Sequence, residues 1–228
     1  RENTEGEYAG VGGRVHVHTD HEVAIQSTVF TRLGVERVLR YGFELARKRP
    51  RKELVSVTKS NAMQYNMVFW DEVFRELQGE YPEVTCRQYH VDALAARFIT
   101  APESLDVVVG SNLFGDILTD LGGALQGSLG IPPSANIDPT RRHPSMFEPV
   151  HGSAPDIAGQ GIANPIAAIW AASMMLDHLG HEDAGSLLME AVEAVTGAGE
   201  VRTPDLGGRS TTAEVGDAIR AALRAAGA

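Results

Sequence analysis

Cysteine is almost missing from this chain: Cys86 is the single one, so no disulfide can form within it. This usage is typical of a reducing, cytoplasmic environment. Basic residues are also few, since 20 lysines and arginines stand against 30 acidic residues for a net charge of −10. This balance disfavours nucleic-acid and membrane-surface partners, which need a basic surface. No apolar run has the length of a membrane span, and no internal repeat or low-complexity tract occurs.

Strand and helix patterns alternate along the 228 residues, a length that allows a full hydrophobic core. Alternating apolar side chains at 11–30 predict a β-hairpin or arm. Further strands are predicted at 54–58, 84–89 and 105–109, and helices at 31–48, 67–77, 91–99, 113–125, 165–179, 182–196 and 211–226. Repeated strand–helix units indicate an α/β fold with a largely parallel sheet. The turn-rich stretch 130–143 is the predicted passage between two lobes, so domains are expected at 1–130 and 131–228.

The segment Asn112-Leu-Phe-Gly-Asp116-Ile-Leu-Thr-Asp120 places two carboxylates four residues apart in a predicted helix, and hence on one face. Two like charges there repel, which suggests a cation between them. A hard ion with oxygen ligands, Mg²⁺ or Mn²⁺, fits best. Aspartates at this spacing are also common on solvated helices, but the apolar flanks leave this helix little polar surface. We therefore predict a metal site at Asp116 and Asp120.

A long loop of small residues begins at His151-Gly-Ser-Ala-Pro-Asp156 and ends on Asn164-Pro165 before a predicted helix. Such a loop lets backbone N–H groups approach a phosphate-bearing ligand. Loops rich in glycine and alanine usually carry no site, so the pattern is weak by itself. Together with the aspartate pair, it indicates an enzyme that uses a metal and a nucleotide.

Five segments follow one another along the chain: Arg1-Glu-Asn-Thr-Glu-Gly-Glu-Tyr8, Thr58-Lys-Ser-Asn61, Tyr89-His-Val-Asp92, Asn112 to Asp120, and Glu148-Pro-Val-His-Gly-Ser-Ala-Pro-Asp156. In this order they resemble the metal-dependent β-decarboxylating dehydrogenases, a family that includes isocitrate, 3-isopropylmalate, homoisocitrate and tartrate/D-malate dehydrogenases. The resemblance extends from Arg1 to about Arg209. It implies that family's α/β/α sandwich with a largely parallel sheet, which is not a Rossmann fold. The family's N-terminal third is expected upstream of Arg1, so the fold is expected to be incomplete here.

The resemblance assigns catalytic and metal-binding roles. Asp92 is implied as a third metal ligand beside Asp116 and Asp120, although on pattern alone a structural N-cap is favoured for Asp92. A lysine at such a position is ordinarily a surface charge, but the resemblance implies that Lys59 takes part in removing the C2-hydroxyl proton. Tyr8, otherwise a half-buried aromatic, is implied as the acid that protonates the enol carbon after CO₂ leaves. Lys59 and Asp92 are expected to reach the partner's site in a homodimer.

The resemblance also implies substrate and cofactor contacts. Arg1 corresponds to an arginine that clamps a substrate carboxylate. Asp156 corresponds to the position at which members of the family contact the adenosine ribose. A carboxylate there repels a 2′-phosphate, so NAD is expected rather than NADP. NADP-dependent relatives carry Lys-Tyr in place of Asp156-Ile157. The implied cofactor-binding residues are Glu148, His151, Gly152, Ser153, Ala154, Asp156, Ile157 and Asn164, with His151 and Asn164 on the adenine. Residues 1–130 are then the small, dimerising domain with the arm and the metal helix, and residues 131–228 are part of the NAD-binding domain.

The substrate is harder to predict. The opening Glu2-Asn-Thr-Glu-Gly-Glu-Tyr8 differs from the Glu-Leu-Thr-Gly-Gly-Ile-Tyr of 3-isopropylmalate dehydrogenases. Residues 10–14, 26–32 and 69–72 resemble the tartrate and D-malate branch instead. The expected activity is oxidation of a small 2-hydroxy acid, D-malate or tartrate, with β-decarboxylation where applicable. A 3-isopropylmalate-type enzyme and a truncated, noncatalytic dimerising relative remain as alternatives.

Overall fold

Seven strands and seven α-helices run along residues 1–227, the part of the chain that a computed structural model describes. The strands are β1 (Gly6–Val15), β2 (Val23–Val29), β3 (Glu53–Thr58), β4 (Thr85–His90), β5 (Val107–Val109), β6 (Pro133–Asn136) and β7 (Met146–Pro149). The helices are α1 (Arg32–Lys48), α2 (Asn66–Gln78), α3 (Val91–Thr100), α4 (Asn112–Leu125), α5 (Ile166–His178), α6 (Glu182–Ala198) and α7 (Thr212–Ala225). Single 3-10 turns lie at Pro102–Ser104 and Pro204–Leu206. The chain forms two compact units, which divide between Gly122 and Gly123.

The sheet of the first unit has β3 at its centre, with β4 on one side and β5 on the other, all parallel. Leu54 in β3 pairs with Cys86 in β4 and with Val107 in β5. The central strand is buried along nearly its whole length, as expected for a parallel strand covered on both faces. Helix α2 connects β3 to β4, and α3 lies between β4 and β5 in the chain. The predicted α/β class with a parallel sheet is confirmed.

Helices α1 and α2 pack on this sheet and supply most of the large side chains of the first core. Phe43 of α1 stacks on Phe74 of α2, with ring centroids 5.3 Å apart. The indole of Trp70 is fully buried, and its Nε1 donates a hydrogen bond of 2.9 Å to Ser56 Oγ in β3. A buried tryptophan normally needs such a partner for its N–H group. The helix and the strand are therefore joined by both apolar and polar contact.

Strands β1 and β2 form the predicted hairpin, with Val11 opposite Ser27 and Val15 opposite Val23. The hairpin begins at Gly6, before the segment 11–30 in which the apolar side chains alternate. The described chain adds no third strand to this sheet, and its β-branched side chains are exposed, Val23 to 45% and Ile25 to 61%. An isolated two-stranded hairpin is marginally stable in water. Its apolar side chains are thus left uncovered by the described chain.

The second unit pairs β6 with β7 in antiparallel fashion, with Pro133 opposite Pro149 and Asn136 opposite Met146. The sequence pattern does not indicate these two strands, because proline is usually confined to the ends and edges of sheets. Helices α5, α6 and α7 pack together, and α5 also contacts both strands. Their buried apolar core consists of Ile166, Ala191, Val192, Val215 and Ile219.

The other predicted elements are confirmed to within the one or two residues by which such bounds ordinarily differ. Strand β5 is shorter than predicted, and Pro165 occupies the cap position before α5 instead of its first turn. The two units divide at Gly122, whereas the turn-rich stretch that suggested a passage between lobes lies at 130–143. Within residues 1–227 no helix has both the length and the apolarity needed to cross a membrane.

Candidate functional site

The first motif of the chain is anchored by its glutamates. Glu2 is buried and accepts hydrogen bonds from Thr4 Oγ1 at 2.6 Å and from Arg37 Nη2 at 3.1 Å. Glu5 lies at the start of α1, where its two carboxylate oxygens accept from the backbone N–H and the hydroxyl of Thr31, each at 2.8 Å. Negative charge is favourable at a helix N-terminus. The segment that carries Arg1 and Tyr8 is thus held against the body of the first unit.

Arg1 and Tyr8, at the two ends of this motif, meet on the carboxylate of Asp116 in α4. The Arg1 guanidinium pairs with Asp116 Oδ1 at 2.7 Å, and the Tyr8 hydroxyl donates to Asp116 Oδ2 at 3.1 Å. The hydrogen bond to Asp116 raises the pKa of the Tyr8 phenol above its ordinary value. Three of the predicted site residues, far apart in the sequence, therefore form one cluster.

Arg1 is also fixed on the first turn of α4. Its Nε and Nη2 atoms donate to Asn112 Oδ1 at 3.1 and 2.8 Å. A Cβ atom at Gly115 would lie 2.7 Å from the Cβ of Arg1, so glycine is required for this close approach. Asn112 and Gly115, motif residues for which the sequence predicted no role of their own, therefore position the arginine.

Asp120 lies one turn beyond Asp116 on the same helix. It is exposed and makes no hydrogen bond or ion pair with any residue between 1 and 227. An unpartnered carboxylate one turn from a second one is suited to a hard divalent cation, which prefers oxygen ligands. Ile117, between the two aspartates, is 52% exposed.

Lys59 and Asp92 form a separate pair, with Lys59 Nζ 2.7 Å from Asp92 Oδ1. Lys59 follows β3 and Asp92 follows β4, and the carboxyl ends of adjacent parallel strands lie side by side. The hydrogen bond from Lys59 lowers the pKa of Asp92. The N-cap interpretation of Asp92 is wrong: His90 occupies the cap of α3, and Asp92 lies within its first turn. Its carboxylate therefore pairs with Lys59 and does not cap the helix.

Within residues 1–227 no three His, Cys, Asp or Glu side chains come together in a group that could hold a metal ion. The three carboxylates predicted as ligands are therefore not assembled by one described chain. Asp116 and Asp120 share a helix, while Asp92 faces Lys59. The chemistry of the set, oxygen ligands with one unpaired carboxylate, fits Mg²⁺ or Mn²⁺.

The loop from His151 to Pro165 follows β7 in the second unit. Ala154 has a positive φ of 41°, and Gly159 and Gly161 have φ values of 78° and 68°. Such conformations suit glycine and bend the backbone tightly. The side chains of His151 and Asp156 are exposed, as are the other predicted cofactor residues except Ile157 and Asn164. The loop thus presents backbone groups and a free carboxylate to the solvent.

Asn164, at the end of the loop, has both ends of its side chain occupied. Its Nδ2 donates to Asp205 Oδ2 at 3.0 Å, and its Oδ1 accepts from the Ile166 N–H at 3.0 Å. Asp205 also accepts from Ser128 Oγ at 2.5 Å. Burial opposes ionisation, but these hydrogen bonds hold the pKa of Asp205 below its ordinary value. These two hydrogen bonds hold the Asn164 side chain toward Asp205 and the beginning of α5. No pattern in the sequence indicated Asp205.

Residues 1–219 match the sequence family described as isocitrate/isopropylmalate dehydrogenase. This chain belongs to that family. It is 58% identical over 224 residues to a probable tartrate dehydrogenase/decarboxylase of Bacillus subtilis, covering 98% of this chain and 62% of that protein. It is 57% identical over 224 residues to the decarboxylating D-malate dehydrogenase of Escherichia coli, covering 96% of this chain and 62% of that protein.

The fold agrees with this membership. The isocitrate dehydrogenase of Methylococcus capsulatus superposes with a TM-score of 0.90 at 42% identity, covering 97% of this chain and 65% of that one. The predicted family and its fold are thereby confirmed. The chain spans less than two thirds of the length of these relatives.

Proposed function

We propose that this chain belongs to an NAD- and divalent-metal-dependent dehydrogenase that oxidises D-malate or tartrate and decarboxylates the product where it can. The convergence of Arg1 and Tyr8 on Asp116 carries this proposal. It gathers a cation that can bind a carboxylate, a phenol that can donate a proton and a carboxylate that can bind a metal. Oxidative decarboxylation of a 2-hydroxy diacid requires all three. Relatives named for tartrate and D-malate support it.

Each side chain has a distinct task in this reaction. Arg1 holds a substrate carboxylate through its planar guanidinium. Lys59 accepts the proton of the C2 hydroxyl, and NAD⁺, when bound, would supply the acceptor for the hydride from C2. Asp116 and Asp120 would hold a divalent ion, which would supply positive charge to polarise the substrate oxygens. Once the β-carboxylate has left as CO₂, Tyr8 returns a proton to C3. A tyrosine phenol, with an ordinary pKa of about 10, carries its proton at neutral pH, as an acid must.

This assignment requires a second copy of the chain. Lys59 and Asp92 pair with each other, so in a homodimer they can serve the Tyr8 cluster of the partner. The exposed apolar side chains of the β1–β2 hairpin and Ile117 of α4 offer surface for such an interface. A two-fold dimer then holds two sites, each with residues from both protomers.

The nucleotide preference rests on Asp156. Its carboxylate is exposed and accepts no hydrogen bond within residues 1–227, so it is available to the ribose hydroxyls. A 2′-phosphate at the same position would meet like charge. NAD is therefore the proposed cofactor.

Exchange of this carboxylate for a cation is expected to change the preference. The double variant Asp156→Lys, Ile157→Tyr removes the repulsion and adds partners for a phosphate, so the ratio of NAD to NADP affinity should fall by about 100-fold. Dissociation constants for both nucleotides, measured by calorimetry, test this expectation. The variant Asp156→Asn separates lost repulsion from gained attraction and should produce part of the change. A wild-type protein that already prefers NADP would contradict the assignment.

A 3-isopropylmalate-type activity is the second candidate among enzymes, and a noncatalytic dimerising protein is the third candidate. The isopropylmalate-type activity is disfavoured by the opening motif, in which Glu5 and Glu7 replace a glycine and an isoleucine of the isopropylmalate form. The third is disfavoured because the structure keeps Arg1, Tyr8 and Asp116 in one bonded cluster. An unused site would not need this arrangement.

The test uses the whole protein that contains this chain. NADH formation is measured with Mn²⁺ and, in turn, D-malate, tartrate and 3-isopropylmalate. The proposal expects the highest kcat/KM with D-malate or tartrate. Preference for 3-isopropylmalate would favour the second candidate. A dimer by gel filtration that reduces NAD⁺ with none of the three acids would favour the third.

A further inference from the structure

Glu7, the residue before Tyr8, connects the first motif to the beginning of α4. Its Oε1 accepts a hydrogen bond from Ser111 Oγ at 2.7 Å, and its Oε2 accepts one from the backbone N–H of Leu113 at 3.1 Å. Ser111 is fully buried. The first N–H groups of a helix have no partner within the helix, and negative charge is favourable there. Both oxygens of Glu7 thus satisfy groups at the N-terminus of the helix that carries Asp116.

The same contact decides how Tyr8 approaches Asp116. Glu7 and Tyr8 are neighbours in the chain, and Asp116 lies about one turn beyond Leu113. Upstream, Asn112 Nδ2 donates to the backbone carbonyl of Glu5 at 3.2 Å. The strand is therefore pinned to the first turn of α4 on both sides of Gly6, directly before the phenol reaches the carboxylate.

We propose that Glu7 is a positioning residue that holds the Tyr8 phenol in register with the Asp116 carboxylate. The inference rests on the proposed function, because it assigns Glu7 to the proton-donating step. A carboxylate accepts at both oxygens, whereas glutamine has one accepting oxygen and an NH₂ group that requires the Ser111 hydroxyl to accept instead of donate. Isoleucine, which stands here in the isopropylmalate form of the motif, accepts nothing.

The competing explanation is that Glu7 only caps α4. The two explanations differ in whether the position of the Tyr8 phenol depends on Glu7. A cap alone stabilises the helix and leaves the phenol where it is. A positioning residue also changes the Tyr8–Asp116 hydrogen bond when it is replaced. The test must therefore report on Leu113 and on Tyr8 separately.

The experiment uses the Glu7→Gln variant of the whole protein. We expect exchange of the Leu113 amide hydrogen to become about tenfold faster, because it loses a bond to a charged acceptor. The ¹³Cζ resonance of Tyr8, assigned with a Tyr8→Phe variant, should move toward its position in an Asp116→Ala variant. With D-malate, kcat should fall about tenfold while the KM for NAD stays unchanged. Glu83→Gln, at an exposed glutamate without a partner in residues 1–227, should change none of these.

Faster Leu113 exchange with an unmoved Tyr8 resonance would reduce Glu7 to a helix cap and overturn the proposal. Unchanged Leu113 exchange, or an unchanged kcat despite a moved resonance, would overturn it as well. If the wild-type protein oxidises no 2-hydroxy acid, the proposed function fails, and the resonance still shows whether Glu7 positions Tyr8. Should Glu7→Gln not fold, Ser111→Ala removes the hydrogen bond to Glu7 Oε1, and an unmoved Tyr8 resonance or an unchanged kcat in that variant would overturn the proposal.

Discussion

Asparagine in place of Asp120 is expected to remove nearly all turnover and leave the fold intact. Asp120 is exposed and has no partner among residues 1–227, so the substitution breaks no contact of the described chain. It removes the charge of a proposed metal ligand. Replacement of groups that merely orient such ligands costs about 10- to 100-fold, and a ligand itself should cost more. We expect kcat/KM to fall by at least about 100-fold.

Three measurements on Asp120→Asn test this result: kcat/KM with D-malate, the dissociation constant of Mn²⁺ and the thermal midpoint. The dissociation constant should rise, and the midpoint should stay near that of the wild-type protein. Asp183→Asn is the matched control, since Asp183 is also exposed and without a partner in the described residues. Full activity of Asp120→Asn at low metal concentration would remove Asp120 from the metal site.

Two inactive variants are expected to restore activity when their subunits exchange. Lys59→Ala removes the base that one protomer lends to its partner, and Asp120→Asn removes a ligand that each protomer keeps. Random exchange of equal amounts makes half of the dimers mixed, and each mixed dimer has one intact site of two. Activity should therefore return to about a quarter of the wild-type value.

A second mixture supplies the control. Asp116→Asn and Asp120→Asn both damage α4 of their own protomer, so no dimer formed from them contains an intact site. That mixture should stay inactive. Exchange is followed independently by native mass spectrometry of isotope-labelled chains. Proven exchange without recovery in the first mixture would show that Lys59 and Asp120 act within one protomer.

Local patterns in the sequence predict most of the fold. The helical spacing of apolar residues in α1 and the alternation in the hairpin each depend on neighbours in the chain, and both predictions hold. Strands β6 and β7 are not predicted by such patterns, because Pro133 and Pro149 lie at their paired ends. Proline normally argues against a strand, and only the pairing in space shows that it is tolerated there.

The candidate site is likewise predicted where its residues are close in the sequence and not predicted where they are distant. The spacing of Asp116 and Asp120 is a local signal, so the sequence places them on one helical face. The contacts of Asp116 with Arg1 and Tyr8 join residues more than a hundred positions apart, and nothing in the composition of either segment requires them. Asp92 shows the opposite failure: its pattern favours an N-cap, but the cap is His90, two residues earlier, and the helix begins at Val91.

The hairpin has a consequence for the handling of the protein. Its outer edges leave rows of backbone N–H and C=O groups that the described chain does not pair, flanked by valine and isoleucine side chains. Such an edge is a template for adding strands from other molecules. In the proposed dimer this surface is covered, and dilution that separates the protomers would uncover it. Loss of the protein to precipitation would then compete with reassembly, and resistance to heat would rise with protein concentration.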